Sequence, residues 1–190
     1  MDKALIIGIA ALIVNFVGYV PYIKGIFEGK VKPQRITWGI WSILTLVAFV
    51  NQVMNGGAWS SLFFGSTTAL VLLVFVLSMR KGVGGSSRFD QIILVVAALL
   101  FAYWAFSRDT YYSTLIAVAI DGVGALPTVL KAYRLPETEV YLQWVLAGIA
   151  GLLSMAAVPS ISFILVVYPA YVFLMNAVVV GAKYLGTKKR

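Results

Sequence analysis

Asn15-Phe-Val-Gly-Tyr-Val-Pro21 has a counterpart 106 positions further on, Asp121-Gly-Val-Gly-Ala-Leu-Pro127. Both stretches carry Gly-x-x-Pro inside an apolar segment that runs into a basic loop. Aligned on the prolines, Asn15 matches Asp121, Gly18 matches Gly124 and Phe27 matches Tyr133. The loops continue with Pro33-Gln34 and Pro136-Glu137, and eight residues past each of these prolines stands a tryptophan, Trp41 and Trp144. Further along, Gly65 falls near Pro169. Several matches in register, over similar hydropathy, read as an internal duplication.

Hydropathy says what was duplicated. Of 190 residues, 61% are hydrophobic and 12% charged, where a soluble domain carries about 25% charge. A helix crosses about 30 Å of hydrocarbon with roughly 20 apolar residues. Seven such segments are expected, at 4–24, 36–54, 59–79, 89–107, 111–131, 140–157 and 160–182. The fold class is therefore an all-α integral membrane protein. The first segment stays apolar for longer than the roughly 7–15 residues of a signal-peptide core, shows no small-residue cleavage site and carries the repeat. It reads as a retained span.

The net charge of +8 is a topology signal before it is a nucleic-acid signal. On this layout thirteen Lys and Arg fall on one side, from Lys24 and Lys30 through Arg134 to Arg190, and only Lys3 and Arg108 on the other. The positive-inside rule then puts the N-terminus outside and the C-terminus in the cytoplasm, in a cell membrane. The lipid bilayer is the expected surrounding, and no nucleic acid is expected as a partner. The chain has no cysteine and no histidine. That removes disulfides, thiolate chemistry, histidine relays and most zinc sites, and no cofactor is expected. Any proton coupling has to use a carboxylate.

Residues 1–82 read as a first three-helix repeat, 83–108 as a linker with the fourth span, and 109–190 as a second repeat. An odd linker gives both repeats the same orientation, related by an axis along the membrane normal. The fourth span, free of proline and glycine from Ile92 to Phe106, has the composition of a linker and not of a site wall. Gly-x-x-Pro in a first span, Pro33-Gln34 after a basic loop, Trp41 beyond it and the three-plus-one-plus-three layout together resemble the PQ-loop superfamily. That group includes the SWEET sugar transporters, the lysosomal cystine and cationic amino-acid exporters and the KDEL receptor. The second copy departs from the motif with Pro136-Glu137. The Thr37-Trp38-Gly-Ile-Trp41 stretch is similar to a bacterial group with a Thr-Trp-x-x-Trp second span, which carries the fold without a known substrate. Nicotinamide riboside transporters of the PnuC type share the layout but fit these motifs less well.

Asp121 lies about mid-span, where a charge costs ~3 kcal/mol on insertion scales. It must face the bundle interior or water, or hold a proton. It is a candidate for binding a solute and for coupling to protons, and the resemblance to the cystine exporters points the same way. A structural aspartate bonded across helices is the alternative. Asn15, its repeat mate, can donate and accept, and the two side chains can equally bond each other. Trp41 and Trp144 are candidate aromatic walls for a sugar ring, a nucleobase or a cation. Trp38 is a weaker candidate, and Trp59 and Trp104 fit an interfacial belt. SWEET proteins hold sugar with asparagines in the third and seventh spans. Asn176 suits the second of these, but the third span offers Ser66, Thr67 and Thr68 instead. Pro21, Pro127 and Pro169 are candidate hinges or simple kinks. Gly18, Gly122, Gly124, Gly148 and Gly151 read as close-packing positions. Lys24 and Lys131 read as snorkelling anchors in preference to gate charges with Glu28, Glu137 or Glu139.

These features point to transport of a small polar solute by alternating access, with protons as a coupling ion or with simple facilitation. A receptor on the same scaffold is the alternative, although the outer loops carry almost no charge. An intramembrane hydrolase lacks a second deep carboxylate or a base. Two complete repeats allow a working monomer as well as a homo-oligomer.

Overall fold

The computed structural model describes residues 3–54, 58–107, 109–157 and 163–189, with the backbone alone at 3–4, 51–54, 58–64 and 164. Among the described residues there are seven α-helices: α1 Lys3–Phe27, α2 Arg35–Met54, α3 Ala58–Lys81, α4 Arg88–Phe106, α5 Thr110–Arg134, α6 Tyr141–Ala156 and α7 Phe163–Lys188. A 3-10 turn, Pro136–Thr138, precedes α6. The expected charges of Lys3, Arg108 and Arg190 and the belt position of Trp59 fall outside the described side chains.

Several helices overrun their apolar segments by about a turn. Hydropathy marks the hydrocarbon, whereas backbone hydrogen bonding continues until something caps it. Lys24 ends α1, Arg80 and Lys81 end α3, Lys131 and Arg134 end α5, and Lys188 ends α7. Cations in a last turn complement the negative end of the helix dipole. Pro21, Pro127 and Pro169 all lie inside continuous helices.

Among the described residues, four helices are long and apolar enough to cross a membrane: Leu5–Phe27, Arg88–Phe106, Thr110–Arg134 and Leu165–Lys188. Arg35–Val50 and Tyr141–Ala156 are shorter apolar helices. The outward faces are apolar as well, with Ile13 and Phe16 of α1 and Ile92, Val95 and Leu99 of α4 all exposed. An outer surface of this kind, far beyond the patches that water-soluble monomers expose, fits association with a membrane.

Packing follows a closed circuit. α1 lies against α6, α6 against α7, α7 against α5, α5 against α2, α2 against α3, and α3 returns to α1. α4 sits outside this circuit, against α5 and α2. Two glycines set the close crossings. A Cβ on Gly18 would stand 3.2 Å from Oε1 of Gln143 on α6, and one on Gly124 would stand 2.8 Å from Cγ2 of Ile40 on α2. Gly18 and Gly124 are the repeat pair, and Gln143 and Ile40 each directly precede a paired tryptophan.

At the end where the basic residues gather, loops lock the bundle. Gln34 is buried; its Nε2 donates to Oδ1 of Asp90 at 2.8 Å and its Oε1 accepts from the Ile36 N–H at 2.7 Å. The second oxygen of Asp90 accepts from the Gly85 N–H at 2.8 Å, and Ser87 completes a capping box at the start of α4. Gly84 and Gly85 take positive φ, 80° and 101°, which lets this loop wrap the Gln34 amide. Gln34 is thus a clamp between the first loop and α4. Glu137, its motif counterpart, is exposed on the 3-10 turn. Gln34→Leu would leave Asp90 and the Ile36 N–H short of partners. It is expected to cost about 1–3 kcal/mol, read as a lower melting midpoint in detergent.

Candidate functional site

Asp121 sits at the middle of α5 with 7% of its surface exposed. Three donors converge on it. Trp41 Nε1 of α2 donates to Oδ1 at 2.8 Å, Tyr171 Oη of α7 donates to Oδ1 at 3.0 Å, and Tyr168 Oη donates to Oδ2 at 2.7 Å. The carboxylate therefore joins α5 to α2 on one side and to α7 on the other. The indole can only donate, whereas each phenol can donate or accept, so the site can hold the carboxyl in either protonation state.

Asp121 opens onto a cavity of about 460 Å³, a size usual for small-ligand sites. All five residues named from sequence as solute-binding candidates line it: Asn15, Trp41, Asp121, Trp144 and Asn176. Pro169 lines it too, while Pro21 and Pro127 lie in helices around it and do not reach its wall. No hydrogen bond joins Asn15 to Asp121 among the described residues; the aspartate oxygens are taken by α2 and α7. Asn176 donates from Nδ2 to its own helix, at the Val172 carbonyl 2.8 Å away, while its Oδ1 is buried without a protein partner. Gln143 Oε1 is also buried without one. Thr67 is the third-span polar residue on the wall. No lysine, arginine or glutamate occurs among the described lining residues.

Aromatic rings close one end. Trp38, only 1% exposed, forms a triangle with Trp41 and Trp144, whose ring centroids lie 5.3 Å and 6.4 Å from it and 6.1 Å from each other, and Tyr22 packs on both Trp38 and Trp144 at 5.5 Å and 6.0 Å. Beneath this cluster Trp144 Nε1 donates to Oε2 of Glu139 at 2.8 Å, and the other oxygen of Glu139 pairs with Lys131. Lys131 also donates to the Lys32 carbonyl, and the Lys32 N–H donates to the Thr138 carbonyl at 3.2 Å. Toward the opposite end the lining continues to Thr110, Thr114 and Ser154.

Two expectations need correction. Lys131 is not a snorkelling anchor. It is 6% exposed, because Glu139 and the Lys32 carbonyl supply a polar socket that a free interfacial lysine would seek in water. Lys24 is exposed, 3.8 Å from Glu28, and leaves the anchor reading open. The fourth span is not excluded from the site wall. α4 packs outside the circuit, yet Trp104 near its end reaches between α2 and α5 to the cavity, packing beside the Ile40 and Ile120 cluster.

Tyr168, Tyr171 and Tyr19 escaped the sequence reading as wall residues. A signal existed: Tyr168 and Tyr171 sit three apart on one face of an otherwise apolar helix, around a proline. Hydroxyls at mid-span need partners, and one carboxyl was unpartnered. Among the described residues no three His, Cys, Asp or Glu side chains gather as a metal-ligand set. Compared with family models, curated proteins and solved structures, the chain matches none.

Proposed function

We propose that this chain is a seven-span membrane transporter of a small polar solute, working by alternating access between two parallel three-helix repeats, residues 1–82 and 109–190, with α4 as the linker. The observation that carries this reading is a cavity between the halves whose single carboxyl, Asp121 on α5, accepts hydrogen bonds from the first half (Trp41) and the second (Tyr168, Tyr171).

The packing circuit supports the repeat. Exchanging α1 with α5, α2 with α6 and α3 with α7 turns every contact of the circuit into another contact of the circuit. The Gly18–Gln143 and Gly124–Ile40 approaches exchange in the same way. Such an axis through a cavity is the arrangement on which two halves can rock. At the basic end the halves are tied by Lys32 to Thr138 and Lys131, and capped by the Tyr22–Trp38–Trp144 cluster. A solute arriving from the Thr114 end would meet Asp121 and stop at this cluster. Passage requires the basic end to part.

Asp121 suits the role of trigger. The groups facing it are Trp41 from α2 and the phenols Tyr168 and Tyr171 from α7, with no cation among the described lining residues. Proton or solute binding at its oxygens competes with the Trp41 bond, the one such bond that crosses between halves. Trp41→Phe keeps the ring and removes that donor. Transport is expected to slow roughly tenfold, the scale of a hydrogen bond to a charged group, measured as initial uptake rate in proteoliposomes.

The absence of native cysteine gives a clean test. Single cysteines at Thr114 and at Ile26, which is fully buried beneath the aromatic cluster, would be labelled from opposite sides by a membrane-impermeant maleimide. The Thr114 site is expected to react from the outside. The Ile26 site is expected to react from the cytoplasm only in a fraction of molecules that solute or pH changes, with Asp121→Asn removing the pH response. An Ile26 site that never reacts, whatever the pH or solute panel, would sink alternating access.

A further inference from the structure

We infer, resting on the transporter reading, that the solute is a small organic ammonium that carries N–H groups and no carboxylate. Three features of the cavity lead there.

The first is charge. Asp121 is the one ionisable acid among the described lining residues and no cation lines the space, so the site can offer a negative charge and no positive one. An anion would meet repulsion, and the carboxylate of a zwitterion would find no cationic partner. A neutral polyol would leave an ionised Asp121 without a counter-charge, which is the costly arrangement.

The second is the state of the polar atoms. Four donors are engaged: Trp41, Tyr168 and Tyr171 all donate to Asp121, and Asn176 Nδ2 donates to the Val172 carbonyl. That last bond fixes the Asn176 amide with Oδ1 free. The unengaged buried atoms on the wall are two acceptors, Asn176 Oδ1 and Gln143 Oε1, against one donor, Trp38 Nε1, which lies within the ring cluster. A buried acceptor without a partner costs about 1–3 kcal/mol, so the site favours a ligand that brings donors. An ammonium with N–H groups does so and a quaternary ammonium does not.

The third is the wall itself. Tyr19, Trp38, Trp41, Trp144, Tyr168 and Tyr171 line the space, and ring faces attract cations. The aromatic surface also accommodates an apolar body attached to the ammonium.

The test uses purified full-length protein in detergent, titrated with 2-phenylethylammonium chloride and followed by tryptophan fluorescence and calorimetry. The comparison ligands are 2-phenylethanol, phenylalanine and trimethyl(2-phenylethyl)ammonium. The primary ammonium is expected to bind roughly tenfold or more tightly than each of the three. Asn176→Leu, checked for a monodisperse elution profile, is expected to weaken the primary ammonium while leaving the trimethyl compound unchanged, and Asp121→Asn to abolish the preference over the alcohol. Equal binding of the alcohol, preference for phenylalanine, or no binding of the ammonium at millimolar concentration overturns the inference. Flux separates the two readings. An Asp121-dependent flux of another solute class, with no ammonium binding, leaves the transporter and removes the ammonium assignment. Ranked ammonium binding without flux in proteoliposomes does the reverse.

Discussion

Lys131→Met is expected to lower stability by about 3–5 kcal/mol, the usual result of removing one partner of a buried ion pair. The substitution leaves the Glu139 carboxylate buried, with the Trp144 indole as its remaining hydrogen-bond donor at 2.8 Å. It also strips a donor from the Lys32 carbonyl, where the loop after α1 meets α5. Lys131→Met/Glu139→Gln should recover much of the loss, because the glutamine oxygen can still accept from Trp144 and the buried carboxylate is gone. Recovery should stay incomplete, since the Lys32 carbonyl is still short of a donor. The fraction of monodisperse protein surviving a heating series gives the comparison, a readout that does not require reversible unfolding. Equal survival of the single variant and the wild type would mean that the pair carries no stability.

Gly186→Ala is expected to be nearly as severe, and Gly181→Ala, one turn and a half earlier on α7, mildly favourable. At Gly186 a Cβ would run into the backbone carbonyl of Tyr133 at the end of α5. A side-chain neighbour can rotate away, but a carbonyl within a helix cannot move without its helix. Overpacking of that kind typically costs about 1–3 kcal/mol, occasionally more. At Gly181 a Cβ meets nothing within 4 Å, so the substitution gains up to about 1 kcal/mol of helix propensity. One substitution type with opposite signs on one helix isolates the α5–α7 contact from general helix effects. The same heating series reads both, and two shifts of the same sign would contradict the packing described.

The helical content and the approximate extents of the helices were legible because apolar runs of spanning length leave few alternatives. Asn15, Trp41, Asp121 and Trp144 were legible as one set through the repeated spacing and Asn176 through the resemblance to SWEET proteins, and all five line one cavity. What could not be read was partner choice. Asn15 and Asp121 are equivalent in register, yet α7 supplies two phenols to the aspartate and no residue bonds the two mates together. Spacing identifies a face, whereas a hydrogen-bond partner depends on which helix crosses that face. The fate of Lys131 was hidden for the same reason. Lys24 and Lys131 occupy similar helix ends, and only the position of Glu139 and the Lys32 carbonyl separates an exposed lysine from a buried one. Trp104 escaped because a composition rule was applied to a whole span, when a single residue at its end reaches the site.

The indole cluster gives the protein a built-in optical reporter. Trp38 and Trp41 come from α2 and Trp144 from α6, with centroids 5.3–6.4 Å apart. At such separations the ring transitions couple as excitons, and the coupling falls steeply with distance and angle. These three rings are most of the chain's five tryptophans. Near-ultraviolet circular dichroism of the unlabelled protein should therefore follow the separation of α2 from α6 directly. Any parting of the basic end would appear as a change in spectral shape, observable without a dye, a mutation or a known solute.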